Sequence, residues 1–108
     1  MRTLKFIVDG QNLKKNPNCD FEGIVPGTEG YLTAEFSFSS EWDDTLRVVE
    51  FTRNGRECEP QVLFDGKTCI IPSEALTSRS FKLRVLGKKE GYKLTTDKVE
   101  VIQNGGKL

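Results

Sequence analysis

Two dipeptides, Asn54-Gly55 and Asp65-Gly66, interrupt the apolar and β-branched residues between positions 47 and 71. Asn, Asp and Gly tolerate the positive φ angles that tight hairpin turns require, so the pattern predicts successive antiparallel strands at 46–53, 56–64 and 67–71. Pro60 has no N–H to give to a ladder and confines the middle strand to an edge or a bulge.

The flanking segments carry the same signal. Leu4, Lys5, Phe6, Ile7 and Val8 form a first strand ended by Asp9-Gly10, with 11–13 as its short partner. From 31 to 38, Leu32, Ala34, Phe36 and Phe38 alternate with Tyr31, Thr33, Glu35 and Ser37, the period of a half-buried strand. Residues 39–44 make one turn at most before β-branched residues resume, and 72–76 make a short helical turn with Pro72 at its start. Phe81, Leu83 and Val85 alternate with Lys82, Arg84 and Leu86. Residues 87–91 are read as a turn, and 92–95 and 98–102 close the pattern. Roughly seven to nine short strands with no amphipathic helix predict an all-β, immunoglobulin-like antiparallel sandwich, with a small barrel as the alternative. The 108 residues fit one domain, with 14–30 as a long ordered loop and 103–108 as a flexible polar tail.

Charge and residue inventory narrow the function classes. Lys plus Arg equals Asp plus Glu at 16 each, so the net field that would hold a polyanion or an acidic membrane surface is missing, and neither nucleic acid nor membrane is an expected partner. No stretch approaches the roughly 20 apolar residues of a membrane span. There is no histidine, which removes imidazole triads and His-containing zinc sites. The three cysteines, Cys19, Cys58 and Cys69, contain no Cys-x-x-Cys pair, and no secretory leader opens the sequence, so thiols kept reduced in a cytoplasm are expected. Cys58 and Cys69 sit on the two arms joined by Asp65-Gly66, where a ladder would let them face each other. Glu41, Asp43 and Asp44 around Trp42 suggest a hard cation or a glycan beside an indole; the plainer reading is a capped turn whose indole covers the open end of the core. No catalytic residue, cofactor or metal is assigned.

Binding is what this inventory permits. The 14–30 loop is the candidate contact surface, with Phe21, Ile24 and Val25 either displayed on it or pinning it to the core, and Tyr31, Trp42 and Tyr92 are the candidate aromatic anchors.

One further signal lies in the order of the motifs. Phe36-Ser37-Phe38 leads to Trp42-Asp43, then Val49-Glu50-Phe51, then Cys69-Ile70-Ile71-Pro72 with Glu74 and Leu76. Phe81-Lys82-Leu83-Arg84-Val85-Leu86-Gly87 and Thr95-Thr96-Asp97-Lys98-Val99-Glu100-Val101 follow. Over residues 31–103 this order resembles small proteins and domains encoded by bacteriophages and prophages of Firmicutes, which look like immunoglobulin-like virion accessory modules. The resemblance implies a non-enzymatic structural role in capsid decoration or in a tail or baseplate. Its partners would be other virion proteins and further copies of the chain, and it would be located in the host cytoplasm during synthesis and then in the virion. It transfers no functional residue. A chain of this length beginning at its own Met1 favours either a free-standing decoration protein that assembles on a capsid or tail or a small phage protein that acts inside the host. The alternatives are a phage-encoded inhibitor of a host-defence protein and a carbohydrate-binding adhesion module resting on Trp42 and the tyrosines.

Overall fold

The alternation in 31–38 becomes the strand on which the fold is built. In the computed structural model, which describes residues 1–106, the strands are β1 (Arg2–Asp9), β2 (Asn12–Lys15), β3 (Leu32–Phe38), β4 (Leu46–Arg53), β5 (Arg56–Glu57), β6 (Gln61–Val62), β7 (Thr68–Ile70), β8 (Ser80–Lys89), β9 (Tyr92–Thr95) and β10 (Val99–Ile102). Single 3-10 turns at Ser40–Trp42 and Ser73–Leu76 are the helical elements among the described residues. Sheet one runs β2-β1-β3-β7; sheet two runs β10-β8-β4-β5, with β6 also on β4 and β9 also on β8. Since β4 occupies one flank of β8, β9 and β10 share the other, and β5 and β6 share the far flank of β4 by the same logic. The result is the expected all-β sandwich.

The core lies between the sheets. Leu4, Phe6 and Val8 with Leu32, Ala34 and Phe36 face Val49, Phe51, Phe81, Leu83, Val85 and Val101, all buried. Phe6 stacks on Phe36 at 5.3 Å between ring centroids, and Phe51 meets Phe81 at 6.1 Å. Full burial of each such side chain is worth about 1.5–3 kcal/mol.

The sandwich is not antiparallel throughout. β1 and β3 are parallel, with Phe6 opposite Phe36. A parallel neighbour needs a crossover of about a dozen residues or more, and residues 16–31 supply it: the chain leaves β2 on one flank of β1 and returns as β3 on the other. The length of that loop therefore follows from topology. One side of the sandwich is stitched, since Asp97 N donates to Gln11 O at 3.0 Å, Leu13 N to Asp97 Oδ1 at 2.9 Å and Gln11 Nε2 to Thr95 O at 3.0 Å.

Several expectations are corrected. The predicted strand at 56–64 is two short pieces, β5 and β6, separated at Pro60. The next strand, β7, leaves that sheet and pairs with β3, so Asp65-Gly66 turns the chain between sheets and does not close a hairpin. Cys58 and Cys69 consequently share no ladder, and all three cysteines are free. Gly87 does not turn the chain: it lies inside the ten-residue β8. Residues 103–106 do not hang free either. Gln103 is buried, Gly105 N donates to Ile24 O at 2.9 Å and Asn104 Oδ1 accepts from Gly23 N at 2.9 Å. Residues 107 and 108 of the predicted tail lie outside the described residues.

Candidate interaction surface

The most conspicuous group on the surface is Phe64, whose side chain is 94% exposed at the turn between β6 and β7. The backbone that displays it is tightly held. Gly66 N donates to Leu63 O at 2.9 Å, closing the turn. Asp65 Oδ1 accepts from the N–H groups of Lys67 at 2.9 Å and Thr68 at 2.7 Å, while Oδ2 accepts from Thr68 Oγ1 at 2.6 Å. These bonds favour the charged carboxylate and pull its pKa down to about 2, the Thr68 hydroxyl contributing most.

Arg47 anchors this turn to the rest of the molecule. On the core side of β4, its Nη1 donates to Gly66 O at 2.9 Å, its Nη2 to Trp42 O at 2.6 Å and its Nε to Thr45 Oγ1 at 3.1 Å. The guanidinium lies 4.1 Å from the centroid of the Phe38 ring, so a planar cation is both hydrogen-bonded and stacked. The aromatic is mounted on a braced frame, the condition under which an exposed ring makes a strong contact with little ordering cost.

Phe64 also ends a continuous apolar strip. On the outer face of sheet two, Val48 lies between its ladder partners Val62 and Leu86, all half-buried. Two residues back on β4 stands Leu46, 66% exposed. Leu63 N donates to Arg47 O at 3.0 Å, carrying the β4–β6 pairing past the assigned strand and bringing Phe64 to the Leu46 end of the ribbon. Across the strip's lower border, Arg84 Nε meets Glu50 Oε1 at 2.8 Å.

The residues expected to make contacts are distributed differently. Ile24 and Trp42 are core residues, 1% and 0% exposed, so neither presents a contact surface. Trp42 Nε1 donates to Gly10 O at 2.8 Å and its ring packs 5.2 Å from Phe38, which is the covering role of the plainer reading. Phe21 is half-buried, edge-on to Phe6 at 5.4 Å, and pins the crossover loop. Val25 does not pin it; it is exposed and lines a hollow of about 190 Å³ with Arg2, Thr28 and Tyr31 at the start of β3. Tyr92 is at the Phe64 end of the molecule, its hydroxyl donating to Glu41 O at 2.9 Å. Val25 and Tyr31 are thus separated from Tyr92 by the length of β3.

Phe64 was legible only as the last residue of a strand. Its exposure comes from the turn and not from strand alternation: Gly66 N closes on Leu63 O, which makes Phe64 a corner residue of that turn, left in water. Among the described residues no group of three acidic or thiol side chains is placed to hold a metal ion. Burial pushes the Cys69 thiol up to about 12, with the Asp65 carboxylate adding to the effect, and Cys58 is raised by burial first and by Glu74 second, so neither is a ready nucleophile. No helix of the described chain is long and apolar enough to cross a membrane. Compared with family models, curated proteins and solved structures, the chain matches none.

Proposed function

We propose that this chain is a non-enzymatic binding module, an accessory virion protein of a bacteriophage or prophage that works through protein–protein contacts. The observation that carries the binding role is Phe64, almost wholly exposed on a turn whose carboxylate, glycine and arginine contacts hold it still. A large ring left in water contributes nothing to this fold and is the kind of group that dominates an interface once a partner covers it. The virion setting rests on the motif order between 31 and 103 and fits a sandwich in which β7 and β5–β6 are edge strands.

Quantitative mass spectrometry of particles purified from cells carrying the gene tests this reading. The chain is expected at many copies per particle, and Phe64→Ala is expected to lower that number while the purified variant melts as the parent does. Absence from particles, with expression early after infection, would replace the virion role by action on a host protein.

A further inference from the structure

The outer face of sheet two carries a charge pattern that the fold itself does not use. Read across the ladders, its first row is Leu46, Lys88 and Lys93, each opposite the next; its second is Val62, Val48, Leu86 and Thr95. Lys88 and Lys93 therefore face each other directly, both exposed. Like charges in that position destabilise a sheet. The one side-chain ion pair among the described residues is Arg84 with Glu50, so neither lysine has a carboxylate at salt-bridge distance. Lys89 is engaged elsewhere, its ammonium donating to Asp43 O at 3.1 Å and lying 4.9 Å from the Tyr92 ring. Protection of an edge against pairing explains a lysine on β9. It does not explain Lys88, on the central strand β8.

We infer that the Phe64–Leu46–Val48–Leu86 strip, with Lys88 and Lys93 along its border, docks a protein segment in which apolar side chains are flanked by carboxylates. This rests on the binding role proposed above and gives that surface a partner chemistry. The ring and the leucines supply the desolvated centre, and the two unpaired ammonium groups supply the rim, where charge sets the choice of partner and the rate of encounter. A second copy of this chain docked through the same strip is a poor occupant, because that strip offers the lysine pair apolar side chains and further lysines in place of carboxylates.

The test is a selection of random peptides about a dozen residues long, displayed from a library, on the full chain. Enriched peptides are expected to combine aromatic or aliphatic residues with an excess of Asp and Glu. Their affinity is expected to fall by roughly tenfold or more in Phe64→Ala and in Lys93→Glu, and to weaken with added salt. Lys93→Glu turns the repulsive ladder pair into an attractive one, so its melting temperature is expected to hold or rise while binding falls, which separates recognition from folding. Enriched peptides that need Phe64, carry no acidic excess and bind Lys93→Glu equally well would overturn the acidic partner and leave the binding surface standing. Should no enriched peptide depend on Phe64, the strip as a docking site is overturned, and the particle measurement decides the virion role separately. Reversible dimerisation abolished by Phe64→Ala would overturn it in favour of a second copy.

Discussion

A Cβ built on Gly87 would lie 2.6 Å from Trp42 Cζ3 and 3.1 Å from Thr45 Oγ1, closer to the ring than real side chains come. Gly87 is therefore the seat of the indole, and its place in the middle of β8 is a packing requirement. Because the Trp42 ring is fixed by its bond to Gly10 O and by Phe38, it has no room to retreat. Gly87→Ala is expected to destabilise the protein by about 1–3 kcal/mol, as overpacking does, with a loss of near-ultraviolet tryptophan dichroism; an unchanged thermal midpoint would refute the seat. Phe64 gives the opposite expectation. Nothing in the fold leans on its ring, so Phe64→Ala is expected to change stability by less than about 0.5 kcal/mol in denaturant titration. Its frame depends on pH through Asp65. The folded pKa of about 2 lies below the ordinary 3.8, so the hydrogen bonds to the carboxylate favour the folded turn fully above the ordinary value and lose that effect as pH falls through the folded one. Amide shifts of Lys67 and Thr68 should hold from neutrality to about pH 3 and then move with a midpoint near about pH 2. A midpoint near the ordinary value would mean that the turn is not held through this carboxylate.

At the scale of elements, the two Gly dipeptides that dominate the sequence behave differently, and the difference shows what local chemistry can specify. Asn54 and Gly55 both have positive φ, 50° and 77°, the backbone of a tight hairpin turn, and β4 pairs with β5 across them as expected. Asp65-Gly66 offers the same chemistry, with Gly66 at φ 81°, but the strand after it finds β3 instead of β6. Turn residues dictate where the chain reverses; which ladder receives the next strand is decided by burial across the whole sandwich, and no short motif records that. The same limit hid the parallel β1–β3 pair. The core was easier to read, because Leu32, Ala34, Phe36, Phe81, Leu83 and Val85 declare themselves by alternation alone. The candidate surface was left open for a matching reason: Ile24, in a breaker-rich loop, and Trp42, in an acidic turn, each allowed a displayed and a buried reading, and only tertiary packing decides that both are buried. Gly55→Val is expected to cost about 1–2 kcal/mol through the strained backbone. Hydrogen exchange should show its effect concentrated in β5 and the end of β4, and protection unchanged there would contradict the turn assignment.

For the molecule as a whole, the C-terminal residues act as a strap that holds the crossover loop. Gln103 is buried, its N donating to Arg79 O at 2.6 Å and its Nε2 to Ser78 O at 2.5 Å. From that anchor the chain reaches the loop: Asn104 Nδ2 donates to Glu22 Oε1 at 3.0 Å, its Oδ1 accepts from Gly23 N, and Gly105 N donates to Ile24 O. The loop's far end has its own tie, Gly27 N to Leu76 O at 2.7 Å, and Arg2 Nη2 adds bonds to Asp20 O and Glu22 O at 3.1 and 2.6 Å. A chain ended at Ile102 therefore loses the contacts to 22–24 while those of Gly27 and Arg2 remain. It is expected to fold, with stability lowered on the order of 2 kcal/mol for a buried side chain and several hydrogen bonds. Its amide exchange should quicken at Gly23 and in the neighbouring loop, with the β4 and β8 ladders still the most protected part. Because Phe64 and the lysine pair lie on the outer face of sheet two, peptide binding should survive the truncation. Lost binding in a folded truncated chain would place the docking site at the loop end of the molecule, beside Val25 and Tyr31, and away from the strip.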